Sequence, residues 1–141
     1  AKASLDTTDS LRAYLGKKVY SKSGDVVGSI KDVVLKKNNF QGIIVKTGVR
    51  STLFIGKEYV KELTPVTMML SIDPVTTLVG KYVFDADGKK LGTVTELQRK
   101  TDANDYEGVD VKKRKFSKPF YIKKSYIDVA KKNIILSTKY A

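Results

Sequence analysis

The sequence predicts an all-β protein made of two small barrels in tandem, and three observations predict it. The first is an internal repeat. Leu15-Gly16-Lys17-Lys18-Val19-Tyr20 through Val27-Gly28-Ser29-Ile30 lies over Val79-Gly80-Lys81-Tyr82-Val83-Phe84 through Leu91-Gly92-Thr93-Val94 at a constant offset of 64, with all three glycines in register. The second is that short β-branched segments alternate with Gly, Asn and Ser turns over each copy. The third is size. About 65 residues in five short strands cannot cover both faces of an open sheet, so closing the sheet on itself is the way to gain a core and lose exposed edges.

Taken in chain order, residues 1–10 are expected to be a tail, with Thr8 or Asp9 as a cap for a short helical turn over Ser10–Tyr14. The first copy is predicted over 11–73 and the second over 76–141. Lys18-Val19-Tyr20 forms the first strand, Ser23-Gly24-Asp25 a hairpin turn, and Val26–Leu35 a long strand of mixed apolar and polar positions. Asn38-Asn39 turns the chain into Phe40–Thr47, and Gly48-Val49-Arg50-Ser51 turns it again into Thr52–Ile55. A single helical turn is expected within Lys57–Leu63, ended by Pro65, and Met68–Ile72 is the closing strand. In the second copy the register drifts to 66 because Lys100–Asp105 is longer than its counterpart, and alignment then resumes with Gly42 over Gly108, Tyr59-Val60 over Tyr126-Ile127 and Met68-Met69-Leu70 over Ile134-Ile135-Leu136.

Composition narrows the function. There is no Cys and no His among the 141 residues, so thiolate chemistry, imidazole general bases and the commonest zinc ligands are excluded. Asp85, Asp87 and Glu96 fall at positions one, three and twelve of a calcium-loop spacing, but Lys90 occupies the glycine position, so a hairpin turn is the reading there. No metal and no cofactor is expected. An enzyme would have to work with carboxylates such as Asp102 and Asp105 beside a lysine, and no apolar pocket around them is evident in the sequence. The longest apolar runs, such as Ile43-Ile44-Val45, fall far short of the roughly 18 residues a membrane helix needs. The first nine residues hold no apolar signal-like run, so a cytoplasmic protein is the expectation.

The glycines and the strands they separate resemble the PRC-barrel domain. The resemblance is carried by Leu15-Gly16-Lys17, Ser23-Gly24, Val27-Gly28, Phe54-Ile55 and Tyr59-Val60, and again by Val79-Gly80-Lys81, Asp87-Gly88, Leu91-Gly92, Tyr121-Ile122 and Tyr126-Ile127. It implies two SH3-like barrels and a non-catalytic adaptor of the kind found in small archaeal members, docking on a protein partner in a cell-division or a ribosome- or RNA-associated assembly. Known members also include the reaction-centre H subunit and a ribosome-maturation factor, but this chain shows neither the membrane helix of the one nor the RNA-processing-type domain of the other.

Charge supplies the candidate site. Lys and Arg number 27 against 15 Asp and Glu, for a net charge of +12. Up to residue 74 there are 12 basic and 7 acidic residues, leaving +5, and from residue 75 onward 15 and 8, leaving +7, so both halves carry the excess. Lys112-Lys113-Arg114-Lys115-Phe116-Ser117-Lys118 is denser than its counterpart Lys46–Ser51, which has two cations. Lys112, Lys113, Arg114, Lys115, Phe116 and Lys118 are therefore the partner-binding candidates, for an acidic protein surface or, as the alternative, for RNA or DNA through non-specific phosphate contacts. Only Arg12, Arg50, Arg99 and Arg114 are present, which gives little capacity for bidentate base reading. The aromatic pairs Tyr20/Phe84, Phe54/Tyr121 and Tyr59/Tyr126 recur in both copies and are expected in the barrel cores.

Overall fold

A computed structural model describes residues 11–139; the expected tail and its cap at Thr8 or Asp9 lie outside the described residues. By its contacts the chain divides into two compact units. Unit 1 comprises residues 1–74 with 102–104, and unit 2 residues 75–101 with 105–141. Leu11–Tyr14 forms one 3-10 turn, and no α-helix occurs among the described residues.

Unit 1 contains β1 (Lys18–Tyr20), β2 (Val26–Lys36), β3 (Asn39–Lys46), β4 (Thr52–Gly56), β5 (Val60–Leu63) and β6 (Thr67–Leu70), hydrogen-bonded in the order β4-β3-β2-β1-β6-β5. Unit 2 contains β7 (Tyr82–Phe84), β8 (Lys90–Gln98), β9 (Gly108–Lys112), β10 (Phe120–Lys123), β11 (Ile127–Ala130) and β12 (Ile134–Leu136), in the order β10-β9-β8-β7-β12-β11. The two orders are the same. In both, the first and last strands of the copy pair in parallel and every other neighbour is antiparallel. Irregularities recur at matched places, at Val19/Tyr20 and Val83/Phe84 and at Ile30/Asp32 and Val94/Glu96. Such bulges sharpen the twist that a sheet this short needs in order to curl.

Each unit has six strands where five were expected. The segment Lys57–Leu63, read as a helical turn, makes one 3-10 turn over Lys57–Tyr59 and then the strand β5; Lys124–Tyr126 and β11 repeat this. Val60 decides the change. Its side chain is buried in the unit 1 core, and its main chain is extended at φ −84° and ψ 114°, so burial of one β-branched residue outweighs a weak helical preference.

The cores are built of aliphatic side chains with Met68, mostly at matched positions: Val19, Val27, Ile30, Ile43, Val45, Ile55, Met68 and Leu70 in unit 1, and Val83, Leu91, Val94, Val109, Val111, Ile122, Ile134 and Leu136 in unit 2, joined by Leu53 and Val60 in the first and Leu78 in the second. The aromatic pairs are not among them, contrary to expectation. Tyr20, Phe84 and Phe54 are half-buried, while Tyr59, Tyr121 and Tyr126 are exposed. The interior of so small a barrel is filled by aliphatic side chains, and the recurring rings are left half-buried or exposed.

The repeated residues have identifiable work. At Gly28 an added Cβ would stand 2.0 Å from the Lys46 carbonyl oxygen, and at Gly92 it would stand 2.2 Å from that of Lys112, so only glycine admits the close approach of β2 to its neighbour β3 and of β8 to its neighbour β9. Lys17 and Lys81 each send the ammonium to a carbonyl of the β5–β6 or β11–β12 hairpin, Thr64 at 2.7 Å and Lys131 respectively. The β1–β2 and β7–β8 turns place Gly24 and Gly88 at φ +90° and +85° and close around a buried polar side chain. In unit 1 the Ser21 hydroxyl accepts the Asp25 N–H at 3.1 Å; in unit 2 the Asp85 carboxylate, 1% exposed, accepts the N–H groups of Asp87 and Lys89 at 3.0 and 2.9 Å. Asp85 is thus committed to the hairpin.

Replacing Asp85 by Ala leaves two turn N–H groups without their acceptor and is expected to cost about 1–3 kcal/mol. Asp85→Ser, which restores the side chain at the Ser21 position, is expected to cost less than half as much. Thermal unfolding of both variants, read as the shift in Tm, checks this; equal losses would mean that the carboxylate does not organise the turn.

Candidate functional site

The seven-residue connection between β9 and β10 holds the candidate cations. Lys112 ends β9 and is half-buried, so five of the six candidates project from the connection and one belongs to the sheet. Within the connection the Ser117 N–H donates to the Arg114 carbonyl at 3.1 Å and the Arg114 N–H donates to the Ser117 hydroxyl at 3.0 Å. These two bonds close a tight turn with Lys115 and Phe116 at its tip. Phe116 is 92% exposed, and the Lys115 ammonium stands 5.6 Å from its ring centre. Lys113, Arg114, Lys115 and Lys118 are exposed around it. A wholly exposed phenyl ring ringed by cations has no packing role in the barrel, and Phe116 is brought to solvent by the turn itself.

The equivalent corner of unit 1 was missed in the sequence. The β3–β4 connection is closed by the Thr47 N–H donating to the Ser51 carbonyl at 2.9 Å and by their paired hydroxyls at 2.7 Å. Its tip carries Val49, also 92% exposed. Lys31 from β2, Lys46 from β3, Arg50 and Thr52 line a shallow cleft beside it. Lys31 and Arg50 are 19 residues apart, so a count of cations within the loop alone could not reveal that β2 contributes one. Both units therefore present cations beside an exposed apolar tip at the same corner of the barrel.

A second cluster lies in unit 2 around Asp105. The Lys124 ammonium is 2.6 Å from the Asp105 carboxylate and 5.0 Å from the centre of the Tyr106 ring, and the Tyr106 N–H donates to Asp105 at 2.8 Å. The hydrogen bond from Lys124, then that from the Tyr106 main chain, holds the Asp105 carboxyl below its ordinary pKa; the same bond raises Lys124, and burial raises the Tyr106 phenol. A general base active near neutrality needs a carboxylate shifted the other way. The geometry at Asp105 is that of an ion pair fastening the β8–β9 connection to the start of the Lys124–Tyr126 turn. Among the described residues no group of His, Cys, Asp or Glu is placed to hold a metal ion. No helix of the described residues is long and apolar enough to cross a membrane.

Compared with protein families, the chain matches the PRC-barrel domain twice, over residues 6–68 and 71–140. A search of curated proteins finds no match to it.

Removing the ammonium in Lys124→Met is expected to raise the Asp105 carboxyl pKa toward the ordinary carboxylate range. The Tyr106 phenol should move upward as well, because the cation that lowers it is gone. NMR titration of both groups in the two proteins measures these directions, and an unmoved Asp105 would remove the ion pair as the cause.

Proposed function

The chain belongs to the PRC-barrel family, and from that membership we propose that it is a non-catalytic adaptor that docks on an acidic protein partner through the β9–β10 connection. The observation that carries the proposal is the fully exposed Phe116 at the tip of a turn surrounded by Lys113, Arg114, Lys115 and Lys118, with Lys112 at its base. Cations steer an acidic surface into contact, and one aromatic side chain able to be buried on docking provides the kind of anchor on which interface energy concentrates. PRC-barrel domains are generally non-catalytic, and the depressed carboxyl of Asp105 fits that reading better than an enzymatic one. The assemblies implied by the resemblance are an archaeal cell-division complex or a ribosome- or RNA-associated one. Direct binding of RNA or DNA is the second reading, favoured by the net charge of +12.

Replacing Lys112, Lys113, Arg114 and Lys115 by Ser is expected to leave the fold intact, to weaken partner capture and to flatten its dependence on salt. Phe116→Ala is expected to leave Tm unchanged and to cost most of the affinity for a protein partner. Capture from native lysate with and without nuclease, using the unmodified protein and both variants, separates the readings. Capture that vanishes with nuclease and tolerates Phe116→Ala supports nucleic acid, and capture unchanged in both variants removes the loop from either role.

A further inference from the structure

The strand that follows this loop has an open side. β10 is hydrogen-bonded to β9 alone, at the end of its sheet. The Lys124 N–H donates to the Glu107 carbonyl at 2.8 Å, and bonded and non-bonded pairs alternate along an antiparallel ladder. The main chains of Ile122 and Phe120 therefore face Val109 and Val111 on β9, and those of Tyr121 and Lys123 face away from the sheet.

Unit 1 shows what such an edge can hold. Phe54 occupies the place of Tyr121, opposite Ile44 as Tyr121 is opposite Asp110. Its N–H donates outward to the main-chain carbonyl of Asp102 at 2.7 Å, within the group of residues that forms unit 1. A main-chain carbonyl is thus already seated on the β4 edge. Among the described residues Tyr121 makes no such bond.

The surroundings of β10 select the occupant. From Lys112 to Lys124 the chain carries seven cations and no carboxylate; Lys124 is paired with Asp105, which leaves Lys112, Lys113, Arg114, Lys115, Lys118 and Lys123. Two copies of this edge would repel each other, and Pro119 with a strand of only four residues limits any long pairing between them. Resting on the docking role proposed above, we infer that the outer edge of β10 takes an extended, carboxylate-bearing segment of the partner protein. Its main chain pairs with Tyr121 and Lys123, and its acidic side chains meet Lys118, Lys123 and the cations of the preceding turn. Main-chain pairing supplies the geometry of this contact and the lysines supply its charge selectivity.

The test uses the full chain, labelled with nitrogen-15, and a synthetic eight-residue peptide alternating valine and glutamate. At saturation the exchange of the Tyr121 and Lys123 amides is expected to slow at least about tenfold. Two further peptides carry N-methyl groups on one or the other alternate set of amides with all charges kept. Only the set that faces the edge should weaken binding, by about tenfold. Equal binding of all three peptides, or unprotected amides at saturation, overturns edge pairing in favour of charge attraction alone. If the four-serine loop variant loses its natural partner while Tyr121 stays unprotected, edge pairing fails and the docking loop stands. If Tyr121 is protected while that variant keeps its partner in full, edge pairing stands and the loop does not.

Discussion

Each barrel depends on one close approach between paired neighbours, of β2 to the end of β3 at Gly28 and of β8 to the end of β9 at Gly92. The neighbouring strand's carbonyl oxygen lies where a Cβ would be, so no other residue fits without moving main chain. That approach accompanies a curve in the six-stranded sheet tight enough for aliphatic side chains from the first four strands and the last strand of each copy to meet. The carbonyls concerned belong to Lys46 and Lys112, the residues at which β3 and β9 give way to the exposed connections. The same constraint that closes the core therefore fixes where the two basic corners leave the barrel.

A narrow interior also explains what is on the outside. Aromatic side chains recur in both copies because the outer face of the sheet repeats as faithfully as the inner one. The Phe54 ring lies across Gly42 and the Tyr121 ring across Gly108, where an added Cβ would stand within 2.9 and 2.5 Å of ring atoms or, in the second case, the phenol oxygen. Recurrence marks a residue as structural without saying which side of the sheet it faces, since period-two alternation assigns both faces equally well. Recurrence carries no information on the volume available inside, which aliphatic side chains already fill.

The difference between the copies is concentrated where the framework leaves freedom. Ser21 and Asp85 organise the same hairpin with different chemistry, one hydroxyl accepting a single N–H and one carboxylate accepting two. The Asp85-Ala86-Asp87-Gly88 segment resembles part of a cation loop in sequence, yet its first carboxylate is buried and turned onto the main chain. At the basic corners the framework imposes still less. Five residues connect β3 to β4 and seven connect β9 to β10, and each connection is closed by its own pair of hydrogen bonds with one apolar residue at the tip.

By itself the sequence determined the repeat, the all-β class, the hairpin turns and the positions of most strands, because glycine spacing and β-branched runs are local signals that survive without knowledge of contacts. It also located the cations of the β9–β10 connection, since Lys112 to Lys118 are adjacent in the chain. Only the tertiary structure decided that Lys57–Leu63 ends in a strand, because the burial of Val60 comes from residues far away in sequence. It alone placed the aromatic rings outside the barrels, joined Lys31 to Arg50 across a cleft, and turned Phe116 and Val49 fully to solvent. Each of these depends on which strands are neighbours and on how much room lies between them, and neither quantity is carried by any short stretch of chain.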